Sequence, residues 1–297
     1  MIKLIFIIGF VFLFVLFPQV RYTFFHLPTV LYNAVIDVYR YIKYKKYNEY
    51  RDFGKMFIYI ANDKQPFGSG KTLSIVDYVR YVYNRYNGEQ VWSNNDSKFV
   101  EQKIKIYSNV TLVGVPYIPL VSYEQIIKAR ENNDDTCVSL FVIDELGSQF
   151  NNRSWKNNLP PDLLEAILQQ RKSKIGILGT VQDWSLFDAT LRKVSSECIE
   201  CSKTWRFVVN RSYYAKDMER AQHNTELIKT RSVRCFFATD KVYNSYDTNE
   251  RVNKLVDSVE KGEILSNEEI LNHANGDTSS LSTLTNIKRK YRKRVWK

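Results

Sequence analysis

Gln65-Pro66-Phe67-Gly68-Ser69-Gly70-Lys71-Thr72 is the stretch that decides the fold. It follows an apolar run, Met56-Phe57-Ile58-Tyr59-Ile60, that reads as a buried strand, and a helix-like segment begins directly behind it. Gly68, Ser69 and Gly70 form a turn whose backbone N–H groups can close around phosphate oxygens, and the start of the following helix favours negative charge. In such a loop Lys71 reaches the terminal phosphates and the Thr72 hydroxyl binds Mg2+. One position departs from the pattern G-x-x-x-x-G-K-[ST]: Gln65 stands where the first glycine is expected. That leaves the loop's approach to a nucleotide open.

Around this loop, apolar runs alternate with helical stretches from about Met56 to Tyr214. The patterning predicts strands at 56–61, 104–112, 138–143, 175–181, 194–201 and 204–214, and helices at 72–86, 123–130 and 161–171. Residues 88–102 read as a polar loop. Strands alternating with helices imply a mainly parallel sheet with helices on both faces, an α/β fold.

A second piece of chemistry ends the run Leu140-Phe141-Val142-Ile143. Asp144 and Glu145 follow it, and ligands of open α/β sheets bind at the carboxyl ends of strands. Next to the loop, Asp144 would hold Mg2+ together with Thr72, and Glu145 would orient or deprotonate an attacking water. The run Ile175–Val181 finishes in Gln182, either a sensor of the terminal phosphate or a plain polar cap where the strand leaves the core. Arg153, Arg171 and Arg192 follow the site motifs. Arg192 is the leading candidate for a finger acting on a neighbouring subunit's nucleotide; the other reading for it and Arg171 is a cation placed at a helix C-terminus.

Taken together, Phe67-Gly-Ser-Gly-Lys-Thr72, Phe141-Val-Ile-Asp-Glu145, Gln169-Gln-Arg-Lys-Ser-Lys-Ile-Gly-Ile-Leu-Gly-Thr-Val-Gln182 and Phe187-Asp-Ala-Thr-Leu-Arg192 resemble the zonula occludens toxin-like (Zot-like) assembly ATPases of filamentous phages, within the FtsK–HerA group of DNA-pumping P-loop ATPases. The resemblance covers roughly residues 55–250, and 165–193 carry most of its specificity. It implies a P-loop NTPase fold of the ASCE/FtsK–HerA kind, ATP and Mg2+ as cofactors, a homo-oligomeric ring, phage DNA as partner, and phage coat or assembly proteins as further partners. Lys71 and Thr72 match the family's nucleotide loop, Asp144 and Glu145 its Mg2+ and water positions, and Gln182 its sensor. The implied activity is ATP hydrolysis that drives DNA extrusion during virion assembly. The better-known phage members carry their hydrophobic segment after the ATPase domain, whereas here it comes first.

That segment runs unbroken from Leu4 to Phe17. Extended to residues 1–20, with Lys3 snorkelling, it approaches the length of a spanning helix. No small-residue cleavage site follows it, which favours a retained anchor over a signal peptide. Arg21, Arg40, Lys43, Lys45, Lys46 and Arg51 outweigh Lys3, so the body and C-terminus are expected on the cytoplasmic side of a host cell membrane, with lipid as a partner. Residues 21–50 interleave tyrosine, phenylalanine and lysine. They read either as a helix in the headgroup zone or as one packed on the main domain.

Composition is that of a folded chain of 297 residues, 44% hydrophobic, with net charge +11. Seven of the lysines and arginines fall in the last ten residues, Lys288–Lys297, among Tyr291 and Trp296. That tail suits nucleic acid, anionic lipid, or mere solubility. The cysteines are 137, 198, 201 and 235, too few and too scattered for a disulfide framework. A strand through Cys198 and Cys201 would point the pair to opposite faces, against a zinc or redox site.

The chain thus divides into an anchor (1–20), a juxtamembrane helix (21–50), the ATPase domain (51–250) and a C-terminal helix with basic tail (251–297). Rival readings are a plasmid or conjugative DNA-transfer ATPase, a non-catalytic nucleotide-binding membrane scaffold, for which Gln65 speaks, and a nucleotide kinase.

Overall fold

The structure, a computed structural model, describes residues 12–132, 134–149, 161–222 and 225–246. The first eleven residues of the expected anchor, Arg153, and the C-terminal helix and basic tail lie outside the described residues. Among the described residues, no helix is long and apolar enough to cross a membrane.

Among the described residues, eight strands form one sheet: β1 (Met56–Ala61), β4 (Lys103–Ser108), β5 (Ile118–Pro119), β6 (Cys137–Ile143), β7 (Ile175–Val181), β8 (Glu197–Thr204), β9 (Phe207–Tyr214) and β10 (Ser232–Phe237). Their order across the sheet is β10-β9-β8-β1-β7-β6-β4-β5. From β8 through β5 all neighbours are parallel, while β9 and β10 add an antiparallel flank.

Burial explains why these strands read as solid apolar runs. All six residues of β1 and all seven of β6 and β7 are buried, because helices cover both faces of the sheet. One face carries Met56, Ile58, Phe141, Ile143, Ile177 and Cys198 against the helices Glu124–Asn132, Pro161–Leu168, Ala189–Val194 and Ala215–Arg220. The other carries Phe57, Tyr59, Leu140, Val142, Leu178 and Cys201 against Ile75, Val76, Val79 and Val82 of the helix Lys71–Tyr86. Cys198 and Cys201 do sit on opposite faces, as side chains three apart on a strand must.

Four expectations need correction. Residues 88–102 are not a loop. They hold a two-stranded antiparallel hairpin, β2 (Gln90–Ser93) with β3 (Lys98–Glu101), whose mixed burial hides its strand character. The strand expected to reach 112 stops at Ser108, whose hydroxyl turns back to the carbonyl of Val110 at 2.7 Å. The helix expected to reach 171 ends at Leu168. The strand expected to start at Val194 starts at Glu197 instead: Ala189–Val194 is a short helix, N-capped by Asp188 through Thr190 and Leu191. The capping aspartate inside Phe-Asp-Ala-Thr was the signal for it.

The helix Leu27–Lys43 has no buried residue. Leu27, Leu31, Val35, Val38 and Ile42 stand exposed at helical spacing along it. Beyond its end, Tyr44 meets Trp92 of the hairpin at 4.6 Å between ring centroids. Of the two readings for this segment, packing of the whole helix on the main domain is therefore not what the structure has.

Candidate functional site: a phosphate loop facing two strand tips

The register brings three strand ends level. Ile60 pairs with Val181, and Ile143 pairs with Gly179. The phosphate loop after β1, Gln182 after β7, and Asp144-Glu145 after β6 therefore share one edge of the sheet. The acid-bearing strand is not the immediate neighbour of β1: β7 lies between them.

Within the loop, Gly68 and Gly70 take φ of 67° and 87°. Such values are open to glycine at little cost. Gly70 is also the N-cap of the helix Lys71–Tyr86 and supplies no side-chain cap, so the first N–H groups of that helix lack a side-chain partner from the cap. Ser69 is 1% exposed, and its Oγ has no hydrogen-bond partner. An uncapped helix start and an orphaned hydroxyl beneath a glycine turn fit a phosphate group.

Gln65 is accommodated without opening the loop. It is absent from the residues with left-handed φ, so a glycine is not required there. Its Oε1 accepts from Lys203 N at 3.2 Å, its Nε2 reaches Gly68 O at 3.4 Å, and its own N–H donates to Asn62 O at 2.8 Å. The glutamine ties the loop to β8.

The side chains then converge. Lys71 Nζ donates to Gln182 Oε1 at 2.8 Å. Thr72 Oγ1 donates to the Asp144 carboxylate at 3.1 and 3.2 Å from its two oxygens. Partial burial pushes the Lys71 ammonium below the usual lysine pKa, opposed by Cys201, Asp144 and Glu145. A half-desolvated cation of this kind gains most when an anion binds it. Thr72 and Asp144 together offer oxygen donors that fit Mg2+, which takes oxygen ligands and is bound through one or two carboxylates plus phosphate.

Two residues that sequence reasoning missed hold the acids in place. Thr180 on β7 donates to Asp144 and accepts from the Glu145 N–H. Asn109, just after β4, clamps Asp144 by its backbone: Oδ1 accepts from Asp144 N at 2.8 Å and Nδ2 donates to Asp144 O at 3.0 Å. A lone hydroxyl inside the apolar run Ile-Gly-Ile-Leu-Gly-Thr-Val was the readable signal for Thr180. Glu145 has φ of 55° and is exposed. A left-handed glutamate at a strand tip stores about 1–3 kcal/mol. The following residue, Leu146, presses into β7 where an added Cβ on Gly179 would lie 2.6 Å from its Cδ2. Tyr246 comes close too: burial, then Asp144 and Tyr243, push its pKa up to about 12.

Arg192 is not part of this convergence. It is 9% exposed, and its Nη1 donates to the carbonyls of Trp184, Ser185 and Phe187 at 3.3, 3.1 and 2.9 Å. Its Nε lies 2.8 Å from Glu219 Oε1, an ion pair that is off the hydrogen-bond direction. The guanidinium braces the turn after β7 from inside, the opposite of a finger offered to a neighbour. Arg171 is exposed and precedes β7, at the far end of the sheet from the loop.

The Zonular occludens toxin (Zot) family matches residues 66–250, more than half of the chain. The chain belongs to the Zot family. Curated relatives include the Gene 1 protein of Enterobacteria phage fd, 28% identical over 145 residues, which are 48% of this chain and 40% of that protein. The Gene 1 protein of Escherichia phage If1 is 27% identical over 146 residues, with the same coverage. The chain thus spans about two-fifths of the length of the curated relatives it matches. Among solved structures, the N-terminal domain of zonular occludens toxin from Neisseria meningitidis aligns over 66% of this chain and 100% of that one, at 16% identity and a TM-score of 0.41. The genome packaging NTPase B204 from Sulfolobus turreted icosahedral virus 2, in complex with ATP-gammaS, aligns over 63% and 98%, at 11% identity and a TM-score of 0.37. The Zot match covers the phosphate loop from Pro66, both acids and Gln182. The fold is a mainly parallel α/β sheet with the phosphate-loop motif directly after β1.

Proposed function

We propose that this Zot-family chain is an ATPase whose hydrolysis drives movement of phage DNA during virion assembly. The observation that carries the reading is the meeting of Lys71 with Gln182 and of Thr72 with Asp144 along one sheet edge. Family membership gives the biological setting, and the phage Gene 1 relatives point the same way. Mg2+, held by Thr72 and Asp144, would neutralise phosphate charge. The other roles belong to the protein. The loop N–H groups and Lys71 bind and orient the phosphates. Gln182 leaves Lys71 for the terminal phosphate or its water. Glu145 takes a proton from that water, with its backbone held by Thr180.

The proposal extends to a homo-oligomeric ring at a host cell membrane, with coat or assembly proteins as neighbours. An N-terminal anchor over residues 1–20 would tether it, with the ATPase domain and C-terminus on the cytoplasmic side. The exposed apolar stripe of Leu27–Lys43 supports a helix lying in the headgroup zone, flanked by Arg40, Lys43, Lys45 and Lys46. Arg192 is not proposed as the ring's finger.

Two assays test this reading. Single-stranded DNA is expected to stimulate ATP turnover by the full chain several-fold, and Lys71→Ala to abolish turnover. Flotation with vesicles containing anionic lipid is expected to carry the chain upward, less so after deletion of residues 1–20. Turnover indifferent to DNA would remove the motor reading, and a chain that stays at the bottom of the gradient would remove the membrane one.

A further inference from the structure

Three large rings stand in water beside the phosphate loop. Trp205 is 71% exposed, Phe207 48% and Phe237 44%. Their ring centroids lie 5.2 to 6.1 Å apart, in edge-on and tilted contacts. Trp205 occupies the tip of the β8–β9 hairpin with φ of 54°, a left-handed conformation that a bulky residue adopts at a cost. Folding gains little from an aromatic ring held out in solvent by strained backbone.

The same hairpin braces the loop. Lys203 N donates to Gln65 Oε1. Gly70 passes so close that an added Cβ would lie 3.4 Å from Val208 Cγ1 and 3.6 Å from Lys203 Cβ. Val208 is fully buried and shares a core with Leu73 of the helix behind the loop. The tip is itself fixed, since Arg206 pairs with Asp240 at 2.6 Å and donates to Ala238 O at 3.2 Å. Ring platform and phosphate loop are therefore one rigid unit.

We infer that Trp205, supported by Phe207 and Phe237, is a stacking platform for the base of the nucleotide whose phosphates the loop holds. The inference rests on the nucleotide-binding reading above and adds the other end of the ligand. The contacts of Lys71 with Gln182 and of Thr72 with Asp144 put the terminal phosphate on the β7 and β6 side of β1. The rest of the ligand must leave over the other flank. That flank is β8, one strand spacing of about 4.8 Å away, and the ring cluster stands at its tip. Charge and N–H groups serve phosphates, whereas a purine needs a flat apolar surface, worth about 1–3 kcal/mol per stacked base. Stacking reads a π face rather than an edge, so adenine and guanine nucleotides bind the platform comparably.

The experiment measures ADP and inorganic tripolyphosphate affinities by calorimetry on the full chain, for wild type, Trp205→Ala, Trp205→Phe and Lys71→Ala. The expected result for Trp205→Ala is about a tenfold loss for ADP with tripolyphosphate unchanged, the equivalent of about 1.4 kcal/mol. Trp205→Phe is expected to keep most of the affinity, and Lys71→Ala to lose both ligands. Unchanged ADP affinity in Trp205→Ala overturns the platform while leaving the phosphate site intact. Equal loss of both ligands also overturns it, because the change then acts through the loop. Unchanged ADP affinity combined with weaker DNA binding or a smaller assembly assigns the rings to a nucleic-acid or subunit contact instead. Failure of Lys71→Ala to affect either ligand brings down the nucleotide reading itself.

Discussion

Thr180 Oγ1 donates to Oδ1 of Asp144 at 2.6 Å, and the same oxygen accepts the Glu145 N–H at 2.8 Å. One hydroxyl on the strand between loop and acids thus sets both the carboxylate and the backbone that aims its neighbour. Thr180→Val removes the hydroxyl and keeps the shape. Turnover is expected to fall about 10–100-fold with a raised Mg2+ requirement, as for other groups that orient a metal ligand. ADP affinity without Mg2+ should stay at the wild-type value. A magnesium titration of turnover checks this, and equal loss of metal-free ADP binding would mean the loop had collapsed.

Arg192 is predicted to matter for folding, not for a neighbour's chemistry. Arg192→Ala removes the ion-pair partner of Glu219, to which Trp184 Nε1 still donates, and takes one donor from each of three carbonyls, a cost of about 3 kcal/mol. The melting temperature should drop by several degrees. Mixing the variant with wild type should reduce turnover only in proportion to the wild type present. A variant that melts normally yet poisons the mixture would restore the finger.

What the sequence revealed and what it hid follow from one physical fact. A strand buried on both faces must be apolar throughout, so Met56–Ala61, Cys137–Ile143 and Ile175–Val181 could be read directly, and polar residues at their ends stood out as Lys71-Thr72, Asp144-Glu145 and Gln182. The hairpin Gln90–Ser93 with Lys98–Glu101 has no such signature, being largely in contact with water. Thr180 and Asn109 were hidden because their role is relational: only the sheet order, with β7 between β1 and β6, makes them second partners of Asp144. Arg192 misled because sequence shows charge but not direction. Gln65 looked like a defect because its carbonyl partner, the Lys203 N–H, lies far along the chain.

Lys71 predicts a pH dependence. Its pKa is lowered from 10.5, chiefly by burial. The charged form that binds phosphate is full well below the lowered value and is lost as pH rises through it. Nucleotide affinity should therefore be flat near neutrality and fall at a pH below the ordinary lysine value, with proton uptake on binding in that range. Calorimetric ADP titrations from neutral pH to about pH 10 in buffers of different ionisation heat would show it. Affinity unchanged across the range would mean Lys71 does not contact the ligand.

The four cysteines should react in two classes. Cys137, Cys198 and Cys201 are buried, and Cys235 is exposed on β10. Burial holds the Cys198 thiol well above its usual pKa and pushes that of Cys201 up to about 12, so neither forms much thiolate near neutrality. A disulfide-exchange reagent is expected to titrate one thiol in the native chain and four after denaturation. Rapid labelling of Cys201, which lies behind the phosphate loop, would mean that β8 opens in solution.

The central claim is that Lys71, Thr72, Asp144 and Glu145 surround one nucleotide triphosphate. Parallel ATP-binding and ATP-turnover measurements on wild type, Lys71→Ala and Glu145→Gln test it most directly. The account predicts that Lys71→Ala loses both, and that Glu145→Gln binds ATP as wild type does while turning over at least about a hundredfold more slowly. Turnover in Glu145→Gln equal to that of wild type, or ATP binding undiminished in Lys71→Ala, would contradict it.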